Sequence, residues 1–276
     1  MSRRVHAVAW RLAMAGLIVA LAGCAAGPGL ESSEGDGASA REVRTASDVG
    51  DAERRARVRL ELASGYFARG QNATALDEVK VALAASPELH EAYNLRGLIY
   101  AAMGETALAE GSFRRALQLD ARDPDTLHNY GWFQCQQGRF AEAYRLFEQA
   151  LAAPQYVGVA RTTFARGVCL AREGRWDDAE RQLSRSYELD PSSPATAYNL
   201  AEVLLRRGEL ERARFYVARI NAVPEQRNAQ SLWLAARIEH RAGNLSAARD
   251  FGRQLRDRHP QSLEALQFER GRFDGP

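Results

Sequence analysis

Lysine is almost missing from this sequence: Lys80 stands alone among 37 basic residues, and the rest are arginine. That bias reads as genome composition rather than mechanism. An excess of one charge sign is missing too. The formal net charge is +2, but Arg3, Arg4 and Arg11 lie in the first 23 residues, and without them 34 basic residues face 35 acidic ones. Such a mixed surface gives no support to nucleic-acid binding through a basic patch. The five histidines, His6, His90, His128, His240 and His259, do not pair with Cys, Asp or Glu at zinc spacing. His90-Glu91 lacks the second histidine of a zinc peptidase helix. Neither a glycine-rich phosphate loop nor a Gly-x-Ser-x-Gly elbow occurs. The chain therefore reads as a non-enzyme, with no metal, cofactor or small-molecule substrate.

What is present divides into an address, a tether and a body. Arg3 and Arg4 precede an apolar run from Leu12 to Ala22. That run suits a secretory leader and is too short to span a bilayer. It ends in Leu21-Ala22-Gly23-Cys24, which resembles the lipobox of bacterial lipoproteins. The resemblance implies a signal peptide over 1–23 and lipidation of Cys24 with several acyl chains, a strong membrane anchor. Ala25, where an Asp would signal inner-membrane retention in that group, implies the outer membrane, with the body in the periplasm. Residues 24–50 then hold five glycines and four serines beyond the cysteine and little that is apolar. Such a segment cannot order itself and reads as a flexible linker reaching about 28 Å.

From Ala56 onward the sequence repeats. Marker glycines stand at Gly70, Gly104, Gly138, Gly174, Gly208 and Gly243, spaced by 34, 34, 36, 34 and 35 residues. Seven residues before each sits a small residue: Ala63, Gly97, Gly131, Gly167, Ala201 or Ala236. Five after each sits an alanine, and four further on a bulky apolar residue: Val79, Phe113, Phe147, Leu183, Val217, with Gly252 breaking the series. A proline closes each unit, from Pro87 to Pro260. Each position has a cause. The marker glycine supplies the positive φ that turns one helix into the next. The small residues allow close approach of paired helices, the apolar ones fill the seam, and proline ends the second helix.

This pattern resembles the tetratricopeptide repeat. It implies an all-α, right-handed superhelical solenoid of about six helix-turn-helix pairs, over 56–89, 90–123, 124–157, 160–193, 194–227 and 229–262, in a domain spanning 51–262. A longer loop is expected around Pro154 to Val159. The segment 263–276 reads as a capping helix and tail, with Leu263 and Leu266 expected to face inward. One repeat cannot bury its own apolar face, so the stack needs such caps.

Cys135 and Cys169 lie on the first helices of repeats three and four, which should be neighbours. In an oxidising periplasm a disulfide could join them. Two buried thiols are the alternative, because the cysteines sit at different offsets from their marker glycines and their Cα separation could exceed the disulfide range. By the pattern of such arrays, the first helices line a concave protein-binding groove. Its lining here would include Phe67, Asn94, Leu98, Trp132, Phe164, Tyr198 and Trp233, with Arg161, Arg172, Glu202, Arg206 and Arg237 alongside. Aromatic anchors among arginines suit protein recognition. Several of these aromatics could equally serve as packing between helices.

The stretch NYGWFQCQQGRFAEAYRLFEQAL, from Asn129 to Leu151, together with the lipobox and six repeats, resembles the outer-membrane lipoproteins of type IV pilus biogenesis, the PilF/PilW family. The resemblance implies a pilotin, which binds the pilus secretin and promotes its localisation or multimerisation at the outer membrane. A different envelope scaffold, serving cell-wall synthesis or outer-membrane protein assembly, is the alternative.

Overall fold

The computed structural model describes residues 46–273, so Cys24, the leader and most of the linker lie outside the described residues. The described residues form thirteen helices and no strand. They alternate as first and second helices: α1 (Ala46–Ala68) with α2 (Asn72–Ala85), α3 (His90–Ala102) with α4 (Thr106–Leu119), and α5 (Pro124–Gln136) with α6 (Phe140–Leu151). Then come α7 (Val159–Arg172) with α8 (Trp176–Leu189), α9 (Pro194–Arg207) with α10 (Leu210–Ala222), and α11 (Ala229–Arg241) with α12 (Leu245–Arg258). A short α13 (Leu263–Glu269) closes the stack. The first helix begins at Ala46, within the stretch read as linker, and runs through Gly50.

The two kinds of helix start differently. Three of the later first helices follow a loop and carry a side-chain cap. Asp123 accepts from the Thr126 amide ahead of Pro124, Ser193 accepts from the Thr196 amide ahead of Pro194, and Asn228 forms a reciprocal capping box with Ser231. These caps satisfy amides that the helix leaves unpaired. The second helices have no such cap. They follow the marker glycine so closely that the turn itself does the work. All six marker glycines have φ between +72° and +84°, the left-handed region that favours glycine. The chain there bonds back to the preceding helix, as in Gly70 N–H to Phe67 O (2.8 Å) and Gln71 N–H to Tyr66 O (3.0 Å).

Close packing inside a repeat rests on one hole and one knob. A Cβ placed on Gly131 would come within 2.8 Å of the Phe147 ring, and one on Gly97 within 2.7 Å of Phe113. Both phenylalanines are wholly buried. The same pairing joins Gly167 to Leu183. Each such side chain contributes about 2–3 kcal/mol of burial. The stack core is continuous through Leu183, Leu200, Leu204, Leu234 and Ile238.

The sixth unit departs from this scheme. Gly252 stands where the earlier repeats carry a bulky residue, and the Phe268 ring from α13 takes its place, so close that a Cβ there would meet it at 1.9 Å. This corrects the expected facing of the cap. Leu263 is 73% exposed and Leu266 is 39% exposed, while Ala265 is buried and Phe268 packs inward. The hole at Gly252 sets the rotation of the seven-residue helix, and the two leucines are left outside.

Candidate protein-binding groove

The first helices share one face, and polar bridges tie its neighbouring repeats together. Arg57 pairs with Glu91 (3.1 Å) between repeats one and two. The Asn129 amide donates to Asn94 (3.1 Å) between two and three. Arg161 reaches back to Asp125, and His128 Nδ1 meets Thr162 Oγ1 at 2.9 Å, between three and four. Arg237 pairs with Glu202 (2.7 Å) between five and six, and Tyr198 donates to the same carboxylate (3.2 Å). Burial is the main force raising the Tyr198 phenol above its ordinary range, with Glu202 beside it. Burial also pushes His128 down to about 4, with Arg161 adding to the effect and Asp125 opposing it.

Phe67, Asn94, Leu98, Trp132, Phe164 and Tyr198 are each half-buried. They pack between helices and also present an edge to solvent. Leu98 touches the cores on both of its sides. Arg172 and Arg206 are exposed.

Trp233 and Arg237 are not part of an open surface, contrary to expectation. They are 5% and 7% exposed. After α13 the chain turns at Gly271 (φ +63°) and lays Phe273 over this stretch. The Phe273 ring stacks on His240 with centroids 3.9 Å apart and lies 5.3 Å from the Trp233 ring. Phe268 meets Trp233 edge-on at 6.4 Å. Arg237 donates to the Phe273 carbonyl at 3.4 Å. The C-terminal segment thus roofs the last repeat. No repeat pattern reaches Phe273, so the sequence offered only an unexplained aromatic after Gly271.

Cys135 and Cys169 are joined by a disulfide in the structure, with Cα atoms 5.8 Å apart, inside the range such bonds take. The longer loop expected before α7 covers residues 152–158. There Gln155 adopts φ +57° and Tyr156 folds back to share a hydrogen bond with Thr162 (2.7 Å). Among the described residues no three His, Cys, Asp or Glu side chains cluster as a metal site, and no helix is long and apolar enough to cross a membrane.

Three family models, each described as a tetratricopeptide repeat, match residues 60–124, 125–192 and 170–232. The chain belongs to the tetratricopeptide-repeat family. Its similarity to particular members is more telling. It is 28% identical over 210 residues to the type IV pilus assembly protein PilF of Pseudomonas aeruginosa, covering 76% of this chain and 83% of that one. A crystal structure of PilW, described as a widely conserved type IV pilus biogenesis factor, superimposes with a TM-score of 0.73 at 29% identity. That match covers 78% of this chain and 98% of PilW. A solved structure of P. aeruginosa PilF gives 0.69 at 26% identity, covering 80% and 99%. In this tetratricopeptide-repeat chain, then, the whole stack corresponds to PilW and PilF, and not to a generic pair of repeats.

Proposed function

We propose that this chain is a non-enzymatic, pilotin-like lipoprotein of type IV pilus biogenesis. Its concave face binds the pilus secretin, and the lipid on Cys24 holds that complex at the outer membrane on the periplasmic side. The observation that carries this reading is the similarity across nearly the full length of PilW and PilF, joined to a first-helix face on which Phe67, Trp132, Phe164 and Tyr198 are only half-buried. The mechanism needs no chemistry. Tethering a groove at the membrane raises the local concentration of secretin protomers there and favours their assembly into a ring.

A strain lacking the gene should lose twitching and secretin multimers, with monomers accumulating. The full gene should restore both, and a Cys24→Ala form should bind secretin without restoring multimers at the outer membrane. Normal multimers in the deletion strain would overturn the assignment. Co-purification with wall synthases instead of secretin would favour the envelope-scaffold alternative.

A further inference from the structure

Two residues before the marker glycine, the last three first helices each carry an arginine: Arg172, Arg206 and Arg241. The same position in the first three holds Ala68, Ala102 and Gln136. The last turns of α7, α9 and α11 are basic, whereas those of α1, α3 and α5 hold no basic residue. All six helices end in the same glycine turn, so helix termination does not require the arginines.

The three guanidinium groups are exposed, and among the described residues none has a carboxylate within ion-pairing distance. The contrast with the adjacent Arg207 is direct, because Arg207 is held by Glu180, Asp177 (3.1 Å) and Glu209 (3.0 Å). Between successive arginines lie concavities with partly apolar floors. One of about 220 Å³ between Arg172 and Arg206 is lined by Val168, Trp176 and Val203, and by Glu202, whose carboxylate is held by Arg237 and Tyr198. One of about 450 Å³ includes Leu205 and Phe273 between Arg206 and Arg241.

The pitch of the row follows from helix packing. Neighbouring first helices touch directly, as the Cα separation of 5.8 Å between Cys135 and Cys169 shows for one such pair. Packed helices lie about 8–10 Å apart. A polyproline-II segment rises about 9 Å in each three-residue turn and points every third side chain the same way.

We propose that repeats four to six bind an extended, polyproline-II-like segment of a partner protein in which a carboxylate recurs at every third residue. Each carboxylate meets one arginine of the row, and small apolar residues between them sit over the concavities. This rests on the reading of the concave face as a protein-binding groove and gives the chemistry of what it takes.

The test is fluorescence anisotropy of the full chain with two labelled peptides of equal composition, about fifteen residues of Glu, Ala and Pro. One carries Glu at every third position, the other carries its glutamates contiguously. The periodic peptide should bind about fivefold more tightly, and its binding should weaken as salt rises from about 50 to 300 mM. Arg172→Gln, Arg206→Gln and Arg241→Gln should each cost about threefold, as exposed ion pairs do, and the triple variant roughly thirtyfold. Arg181→Gln, beside Asp178 on α8, should change nothing. Equal binding of the two peptides, or a triple variant within about twofold of the unaltered chain, would overturn the proposal. If the chain captures secretin in a pull-down but neither peptide, this proposal falls and the pilotin reading stands. Binding of the periodic peptide without capture of secretin supports the arginine row and removes the pilotin reading.

Discussion

In the third repeat, a glycine of the first helix receives a ring from the second; in the sixth, a glycine of the second helix receives a ring from the cap. Gly131 takes Phe147 from within its own repeat, and the neighbouring Trp132 is half-buried against the same cluster, with no segment laid over it among the described residues. Gly252 takes Phe268 from outside its repeat, and the segment that delivers Phe268 goes on to cover Trp233 with Phe273. Interior repeats are thus closed by local sequence, while the end is closed by a segment that also covers Trp233 and Arg237 of the last first helix. The cover is local to part of α11: Trp233 and Arg237 lie beneath it, while Arg241, one turn further on, stays exposed.

The largest effect expected from this contrast is at the interior knob. Phe147→Ala empties a wholly buried site and should cost about 4 kcal/mol in urea unfolding. A loss below about 1 kcal/mol would mean that the hole at Gly131 collapses without its ring. The junction behind that repeat is reinforced by the disulfide. Closing a loop across a sequence separation of 34 residues should contribute about 3–4 kcal/mol on the chain-entropy account. The Cys135→Ser/Cys169→Ser double variant should melt correspondingly earlier. Denatured Cys24→Ala protein kept free of reductant should show no titratable thiol, and finding two would remove the clamp.

The exterior knob should cost less and act more locally. Phe268→Ala leaves a partly exposed site, so about 2 kcal/mol is expected, less than for a fully buried phenylalanine. Its sharper signature is optical. Trp233 emission should move to longer wavelength as the roof loosens, with the first five repeats still folding cooperatively. A Phe268→Ala protein with unshifted emission would show that Phe273 alone holds the roof.

The repeats were legible because each structural demand recurs at a fixed offset. Six positive-φ glycines and six small residues repeat what a single one could not prove. The roof was illegible for the opposite reason. The pairing of Gly252 with Phe268 occurs once, and it sets a short helix by shape rather than by periodicity. Leu263 and Leu266, spaced as an amphipathic pair, therefore pointed the wrong way. Trp233 and Arg237 matched the groove pattern well, yet a residue outside the pattern, Phe273, decides their exposure. Arg241 could have been found from sequence, since it shares its offset with Arg172 and Arg206.

An effect of similar size separates the buried junction between repeats three and four from the roofed end by pH. His128 lies buried between repeats three and four, bonded to Thr162 and facing Arg161, with Asp125 the nearby counter-charge. Burial holds its folded-state value at about 4, against about 6.5 for an unperturbed imidazole. The unfolded chain therefore binds the proton more readily than the folded one, and stability must rise with pH between these two values. Below about 4 both states are protonated and the dependence ends. Moving from pH 7 to pH 5 should cost about 2 kcal/mol through this one residue. A His128→Gln variant removes that titration, so its stability should fall less over the same interval, by that difference. Parallel curves for the two proteins would mean that water reaches His128 and that the junction between repeats three and four breathes. In that case the disulfide, not the buried polar bridge, is what holds it shut.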